Sequence, residues 1–146
     1  MKTIFIASDH AGFYTKQAIL EHISQNYLYE FSCEDLGTNT SNRTDYTNFA
    51  HTLSQKVQNN FNSIGILICG SGVGVSIVAN RYHSVRAALI YNKEIAKLSR
   101  QHNDANVACF GSRFFSNEEI INMVDIFLKT PFSEGIHLER VKNIEL

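Results

Sequence analysis

A run of apolar residues from Ile64 to Ile68 ends in Cys69-Gly70-Ser71-Gly72-Val73-Gly74, and a second apolar segment continues from Val73 to Ala79. The first run reads as a buried strand and the second as a helix. Glycines at alternate positions make the turn between them, because glycine alone takes positive φ without strain and lets backbone N–H groups crowd together. The turn therefore stands at a helix N-terminus, where free amides and the positive end of the helix dipole favour an anion. A thiol's pKa also falls in such a place. One short stretch thus offers an oxyanion cradle and a candidate thiolate, Cys69.

The flanking sequence repeats the alternation. Ile4–Ala7 predicts a first strand and 12–25 a helix with Ala18, Ile19 and Ile23 on one face. Tyr27–Phe31 is expected as a second strand, and 45–60 as a helix carrying Phe49, Leu53 and Val57 at four-residue spacing. After the glycine turn and its helix come a fourth strand at Val85–Ile90, a helix over 93–101 and a fifth strand at 105–110. Ser116-Asn117-Glu118-Glu119 has the spacing of a capping box. It opens a helix that turns Ile120, Val124, Phe127 and Leu128 inward and stops at Thr130-Pro131, and a last helix is expected over 134–144. Strand–helix alternation at this spacing implies an α/β protein with a five-stranded, mostly parallel sheet covered on both faces. No linker or repeat divides the chain, so residues 1–146 are expected to form a single domain. Ligands of such sheets bind beyond the carboxyl ends of the strands. The segments Ser8-Asp9-His10-Ala11-Gly12, Cys69–Gly74 and Gly111-Ser112-Arg113 are expected to share that edge.

Composition narrows the partners. With 146 residues, 44% of them apolar, the chain has enough for one real core. A net charge of −1 gives no field for nucleic acid or an anionic membrane, so anion recognition rests on a few local groups. Three widely spaced cysteines without a C-x-x-C pair fit reduced thiols in the cytosol. The apolar start is too short for a secretory signal, and no segment reaches the ~18 apolar residues of a membrane span. A soluble, cytoplasmic protein is expected.

Cys33 and Cys109 lack the surroundings of Cys69 and read as structural thiols. Asp9 and His10 form a polar pair where the chain leaves the first strand, a position that also suits Asp9 as an N-cap. His102 follows Arg100 at the polar end of a helix, where a histidine suits the dipole. His137 and Arg140 lie at i, i+3 on one helix face. Together with Arg113 they make a candidate phosphate site, although each alone suits a solvated surface. A dinucleotide fingerprint fails, because its third glycine comes one residue early at Gly74 and Val75 takes its place. No carboxylate follows Ile90-Tyr91-Asn92 to hold a ribose, and no Gly-Lys-Ser/Thr follows the glycines. Neither a nucleotide cofactor nor a metal is expected, since no His, Cys, Asp or Glu set has ligand spacing.

Several of these pieces, taken in order, resemble the type B ribose-5-phosphate isomerase family, with its allose- and galactose-6-phosphate isomerase relatives. They are Ser8-Asp9-His10-Ala11-Gly12, Asp35-Leu36-Gly37-Thr38, Arg43-Thr44-Asp45-Tyr46, Ile68-Cys69-Gly70-Ser71-Gly72-Val73-Gly74, Ser99-Arg100-Gln101-His102-Asn103-Asp104-Ala105-Asn106-Val107 and Phe110-Gly111-Ser112-Arg113. The resemblance implies a Rossmann-like three-layer α/β/α fold and a homodimer, or a dimer of dimers, with active sites shared between subunits. It implies metal-free interconversion of ribose 5-phosphate and ribulose 5-phosphate, with a six-carbon aldose phosphate or a non-catalytic sugar-phosphate-binding module as alternatives. Cys69 would be the base, Gly70, Gly72, Val73 and Gly74 would supply amides to the enediolate, and Ser71 would relay protons. Asp9, Asp45, Tyr46 and Asn103 would meet the sugar, and His102 would assist ring opening. His10, Arg113, His137 and Arg140 would surround the phosphate, some from the partner subunit. Part of the family carries a Glu base just after the glycine turn; here Val75 stands there, which places the chain in the cysteine branch. Two departures are visible. Ile136 precedes His137 where the family commonly has Arg, and the loss of such a charge-assisted contact weakens binding by ~1.5–3 kcal/mol unless Lys142 or another group compensates. Thr47 follows Asp45-Tyr46 where Pro is frequent.

Overall fold

In the computed structural model, which describes residues 1–145, β1 (Lys2–Ser8) is buried from Ile4 to Ser8 and so lies inside a sheet. A 3-10 turn (His10–Gly12) leads to α1 (Phe13–Asn26), β2 (Phe31–Asp35), α2 (Tyr46–Asn59), β3 (Ile64–Cys69), α3 (Val73–Ala79) and β4 (Ala87–Leu89). Then follow α4 (Lys93–Asn103), β5 (Val107–Gly111), α5 (Asn117–Lys129) and α6 (Ile136–Lys142). The strands lie in the order β2-β1-β3-β5-β4, and every pairing is parallel. The three middle strands are buried along most or all of their length and carry near-continuous apolar runs, as burial on both faces requires.

Two cores form, one on each side. Ile4, Ile6, Ile66, Ile68 and Phe110 meet Ile19 and Ile23 of α1, Ala96 of α4 and Ile120, Val124 and Phe127 of α5. Phe5, Ala7, Leu67 and Cys69 meet Ala50, Leu53 and Val57 of α2 and Val75 and Ala79 of α3. Full burial of each large aliphatic side chain contributes about 1.5–3 kcal/mol. The result is a Rossmann-like three-layer α/β/α arrangement. Ser116 caps α5 by accepting from the Glu119 amide at 3.1 Å, as the sequence spacing predicts. Among the described residues no helix is long and apolar enough to cross a membrane.

Three boundaries differ from expectation. The second strand is Phe31–Asp35 rather than Tyr27–Phe31. Tyr27 closes α1 instead, donating its amide to Ile23, while its buried ring sends its hydroxyl to Asp125 at 2.6 Å. β2 is an edge strand exposed along most of its length, so its sequence has little need of apolar residues. β4 is shorter than 85–90, because the Arg86 amide goes to the Asn106 side chain. The last helix begins only at Ile136, after Glu134 and Gly135 take positive φ.

Candidate active site

The chain leaves β1 toward β2 on one side of the sheet and returns to β3 on the other. The carboxyl ends of β1 and β3 therefore flank the switch point where α/β sheets open a crevice. The three strand exits are stitched together there. The Asp9 amide donates to the Ile68 carbonyl at 3.2 Å, and Ser112 and Arg113 amides donate to the Cys69 and Gly70 carbonyls. The Ser112 hydroxyl bridges Ala11 and Cys69 carbonyls at 2.8 and 3.2 Å.

Asp9 is buried and its Oδ1 accepts from the Gly12 amide, so it does cap the short turn. His10 is fixed twice to one residue: its amide donates to Thr44 Oγ1 at 2.9 Å, and its Nδ1 accepts from the Thr44 amide at 3.1 Å. Nδ1 is thus an acceptor, and in the neutral ring the proton sits on Nε2 as a free donor. Asp45 caps α2, accepting from the Thr47 amide and hydroxyl, and these bonds hold its carboxyl below the usual range.

Cys69 ends β3 almost fully buried, and its Sγ accepts from the Gly72 amide at 3.1 Å. Gly72 achieves this with φ +77, a conformation that β-carbons resist. The Val73 amide donates to Ser71 Oγ at 3.2 Å, and Gly74 lies in the first turn of α3, where amides have no intrahelical partner. Side chains close over the turn from two sides. Arg113 lies on Gly70, its Nη1 3.0 Å from where a β-carbon would stand, and the Tyr46 ring lies on Gly74. Burial, reinforced by Cys69, pushes the Cys109 thiol up, and partial burial pushes Cys33 to about 11. Cys109, fully buried, suits the structural role expected of it, whereas Cys33 is exposed on the edge strand β2 and is not a buried structural thiol.

A second group forms elsewhere. His102 and Asn103 end α4, and His137 and Arg140 share a face of α6. The two imidazoles stack with centroids 4.2 Å apart, and the four residues line a recess of about 320 Å³ that no residue of the glycine turn borders. Burial, then His102 and Arg140, lowers the His137 pKa. Within one chain, then, the candidates fall into two sets: Asp9, His10, Asp45, Tyr46, Cys69–Gly74 and Arg113 in one, His102, Asn103, His137 and Arg140 in the other. Ile136 is exposed, and Lys142 is engaged by Glu139 at 3.0 Å.

Sequence reasoning assigned no role to three residues that shape the first set. Thr44 fixes the His10 ring, and its place beside Asp45 in one motif was the available signal. Ser112 ties the strand exits. Lys16, fully buried, pairs with Asp35 at 2.6 Å, and Asp35 accepts from the Gly37 amide, whose carbonyl holds Ser8. Nothing local marks Lys16, because its partner is 19 residues away. Among the described residues no three His, Cys, Asp or Glu side chains gather to hold a metal.

Fold and site together define a Rossmann-like α/β protein with its crevice at the ends of β1 and β3. The chain belongs to the ribose/galactose isomerase family, whose sequence model matches residues 4–144. It is 46% identical to a probable ribose-5-phosphate isomerase B of Mycoplasma pneumoniae over 97% of this chain and 91% of that one. It is 40% identical to ribose-5-phosphate isomerase B of Escherichia coli, covering 99% and 95%. Among solved structures, ribose-5-phosphate isomerase B of Mycoplasma genitalium with bound ribulose 5-phosphate superposes with a TM-score of 0.91 at 44% identity, covering 97% and 93%.

Proposed function

We propose that this chain interconverts ribose 5-phosphate and ribulose 5-phosphate through an enediolate, without a metal ion and with the Cys69 thiolate as base. The observation that carries the reading is the 3.1 Å bond from the Gly72 amide to Cys69 Sγ, at the mouth of a turn whose Gly74 amide lies in the unpaired first turn of α3. The names of the relatives, one with ribulose 5-phosphate bound, support the substrate. Cys69 takes the proton from C2 of the open-chain aldose and returns it to C1, while a second proton passes from O2 to O1 through Ser71. Negative charge grows on those oxygens, facing the amides of Gly70 and Gly74, with the Gly72 and Val73 amides beside them bonded to Cys69 Sγ and Ser71 Oγ. Loss of one such donor raises a barrier by about 3 kcal/mol. Asp9, Asp45 and Tyr46 hold the sugar, and His10 offers Nε2–H toward the phosphate beside Arg113.

The second set completes the site from another copy of the chain. His102 and Asn103 serve ring opening and the sugar, and His137 and Arg140 serve the phosphate. Support for a homodimer comes from the separation of the two sets within one chain. The reading is tested by assaying five- and six-carbon aldose phosphates side by side with and without chelator, with sedimentation alongside. Chelator-resistant turnover of ribose 5-phosphate by a dimer is expected. Turnover of a six-carbon substrate alone, or full activity of a monomer, overturns the substrate or the shared site.

A further inference from the structure

At the other edge of the sheet, beyond the amino ends of the strands, lies a recess of about 320 Å³ lined by Lys2, Phe61, Arg86, Arg100, Asp104 and neutral polar groups such as Asn62. Its volume falls at the lower end of small-ligand sites. The six residues of β3 put it roughly 20 Å from the glycine turn at ~3.3 Å per residue. No residue of the proposed active site lines it.

Its charge is unbalanced. Asp104 is the one carboxylate among the described lining residues, against three cations. It accepts from Arg86 Nη2 at 3.2 Å through Oδ2 and from Arg100 Nη1 at 2.8 Å through Oδ1. Arg86 Nε goes to the Asp104 carbonyl, while Arg100 spends Nε on Thr130 and shares Nη1 with Ala105. Arg86 Nη1, Arg100 Nη2 and the Lys2 ammonium have no partner among the described residues. Glu145 meets the rim only at the Ser84 amide, and its other oxygen faces His83 at 3.0 Å. The arginine side chains are 20% and 11% exposed, so their unused N–H groups open on the recess rather than on bulk surface. Burial, then Arg100, lowers the Lys2 pKa, with Asp104 opposing. The two arginines share one carboxylate and, among the described residues, Lys2 has none bonded to it, so positive charge is in excess here, and an anion offsets it.

We infer that this recess is a second anion site, built from Lys2, Arg86 and Arg100 to take a phosphate-type dianion, free or as an ester. Two positive charges remain after Asp104 is counted, which matches a dianion. The unused guanidinium N–H groups and the ammonium provide charge-assisted donors. Phe61, projecting fully from the wall, gives an ester's organic part an apolar surface.

The test is a titration of the full chain with inorganic phosphate above its second pKa, where it is a dianion, followed by the Nε–Hε NMR signals of Arg86 and Arg100, in wild type and Lys2→Gln. The Lys2 ammonium makes no hydrogen bond among the described residues, so the fold tolerates the change. Saturable shifts are expected in wild type, with binding about tenfold or more weaker in Lys2→Gln. Ribose 5-phosphate turnover is expected to be equal in the two proteins. Shifts no larger than those from sodium chloride at matched ionic strength, or identical binding in Lys2→Gln, overturn the site. The readout lies on residues remote from the glycine turn, so it stands or falls independently of the isomerase reading.

Discussion

Gly74→Ala separates the glycine turn's part in folding from its part in function. A β-carbon at Gly74 would stand 2.6 Å from Cε2 and Cζ of the Tyr46 ring and 3.0 Å from its hydroxyl. The ring must retreat by about 1 Å to regain ordinary contact near 3.5–4 Å. Tyr46 is 38% exposed at the first position of α2, so the retreat is into solvent. The usual overpacking penalty of ~1–3 kcal/mol then shrinks, and alanine returns ~0.5–1 kcal/mol over glycine in a helix. Net stability should stay within about 1 kcal/mol of the parent. The displaced ring, however, leaves the substrate's side of the turn. Loss of one neutral contact of ~1 kcal/mol raises KM about fivefold.

Gly72→Ala is the control, because its φ is +77 and its β-carbon would stand 2.8 Å from the Phe110 backbone, which has nowhere to go. Left-handed strain of ~1–2 kcal/mol adds to overpacking of ~1–3 kcal/mol, for a loss of about 2–5 kcal/mol. Urea denaturation and steady-state kinetics on both variants give the comparison. If Gly74→Ala is destabilised as much as Gly72→Ala, the ring is locked and the packing argument fails. An unchanged KM means that Tyr46 does not meet the substrate.

Ser8 Oγ is buried without a partner among the described residues, so Ser8→Ala should stabilise the fold by about 1 kcal/mol in chemical denaturation; a loss of stability would show the hydroxyl to be bonded. The Asp45 carboxyl is held below its unfolded value of about 3.9, so its contribution is present above that pH and disappears as pH falls through the folded value. Asn caps helices equally well, so Asp45→Asn should match the parent at pH 7 and lose less stability in acid, read by thermal melts from pH 7 to 2. Ile136→Arg adds the cation whose absence the family resemblance points to and should lower KM for ribose 5-phosphate about threefold to tenfold, less than a sheltered charge-assisted contact gives because the position is exposed. An unchanged KM means another group already fills that place.

The central strands and the shared carboxyl edge were legible because burial on both faces demands apolar runs and glycine turns mark the exits. β2 was misplaced because an edge strand such as Phe31-Ser32-Cys33-Glu34-Asp35 carries no such demand, while Tyr27 looked like a strand residue and serves as a helix stop. The site candidates came from motif order, yet their division into two sets depends on where α4 and α6 end, which spacing does not encode. Arg100 stands at what reads as a polar helix end, yet it is 9% exposed, held by Asp104, Thr130 and Ala105. Lys16, within the first expected helix, lies fully buried on Asp35. The Asp35 partner of Lys16 and the Thr130 partner of Arg100 arrive only through the tertiary fold, whereas Asp104 and Ala105 are local to Arg100.

The proposal turns on whether Cys69 moves the proton, and solvent exchange measures that step directly. In deuterated water the parent should incorporate deuterium at C2 of ribose 5-phosphate during turnover. Cys69→Ala should lose that exchange together with turnover by ~10²–10⁴-fold, the contribution of a positioned base, while still binding the sugar phosphate. Exchange and isomerisation by Cys69→Ala at the parental rate would contradict the account and assign the proton to another group.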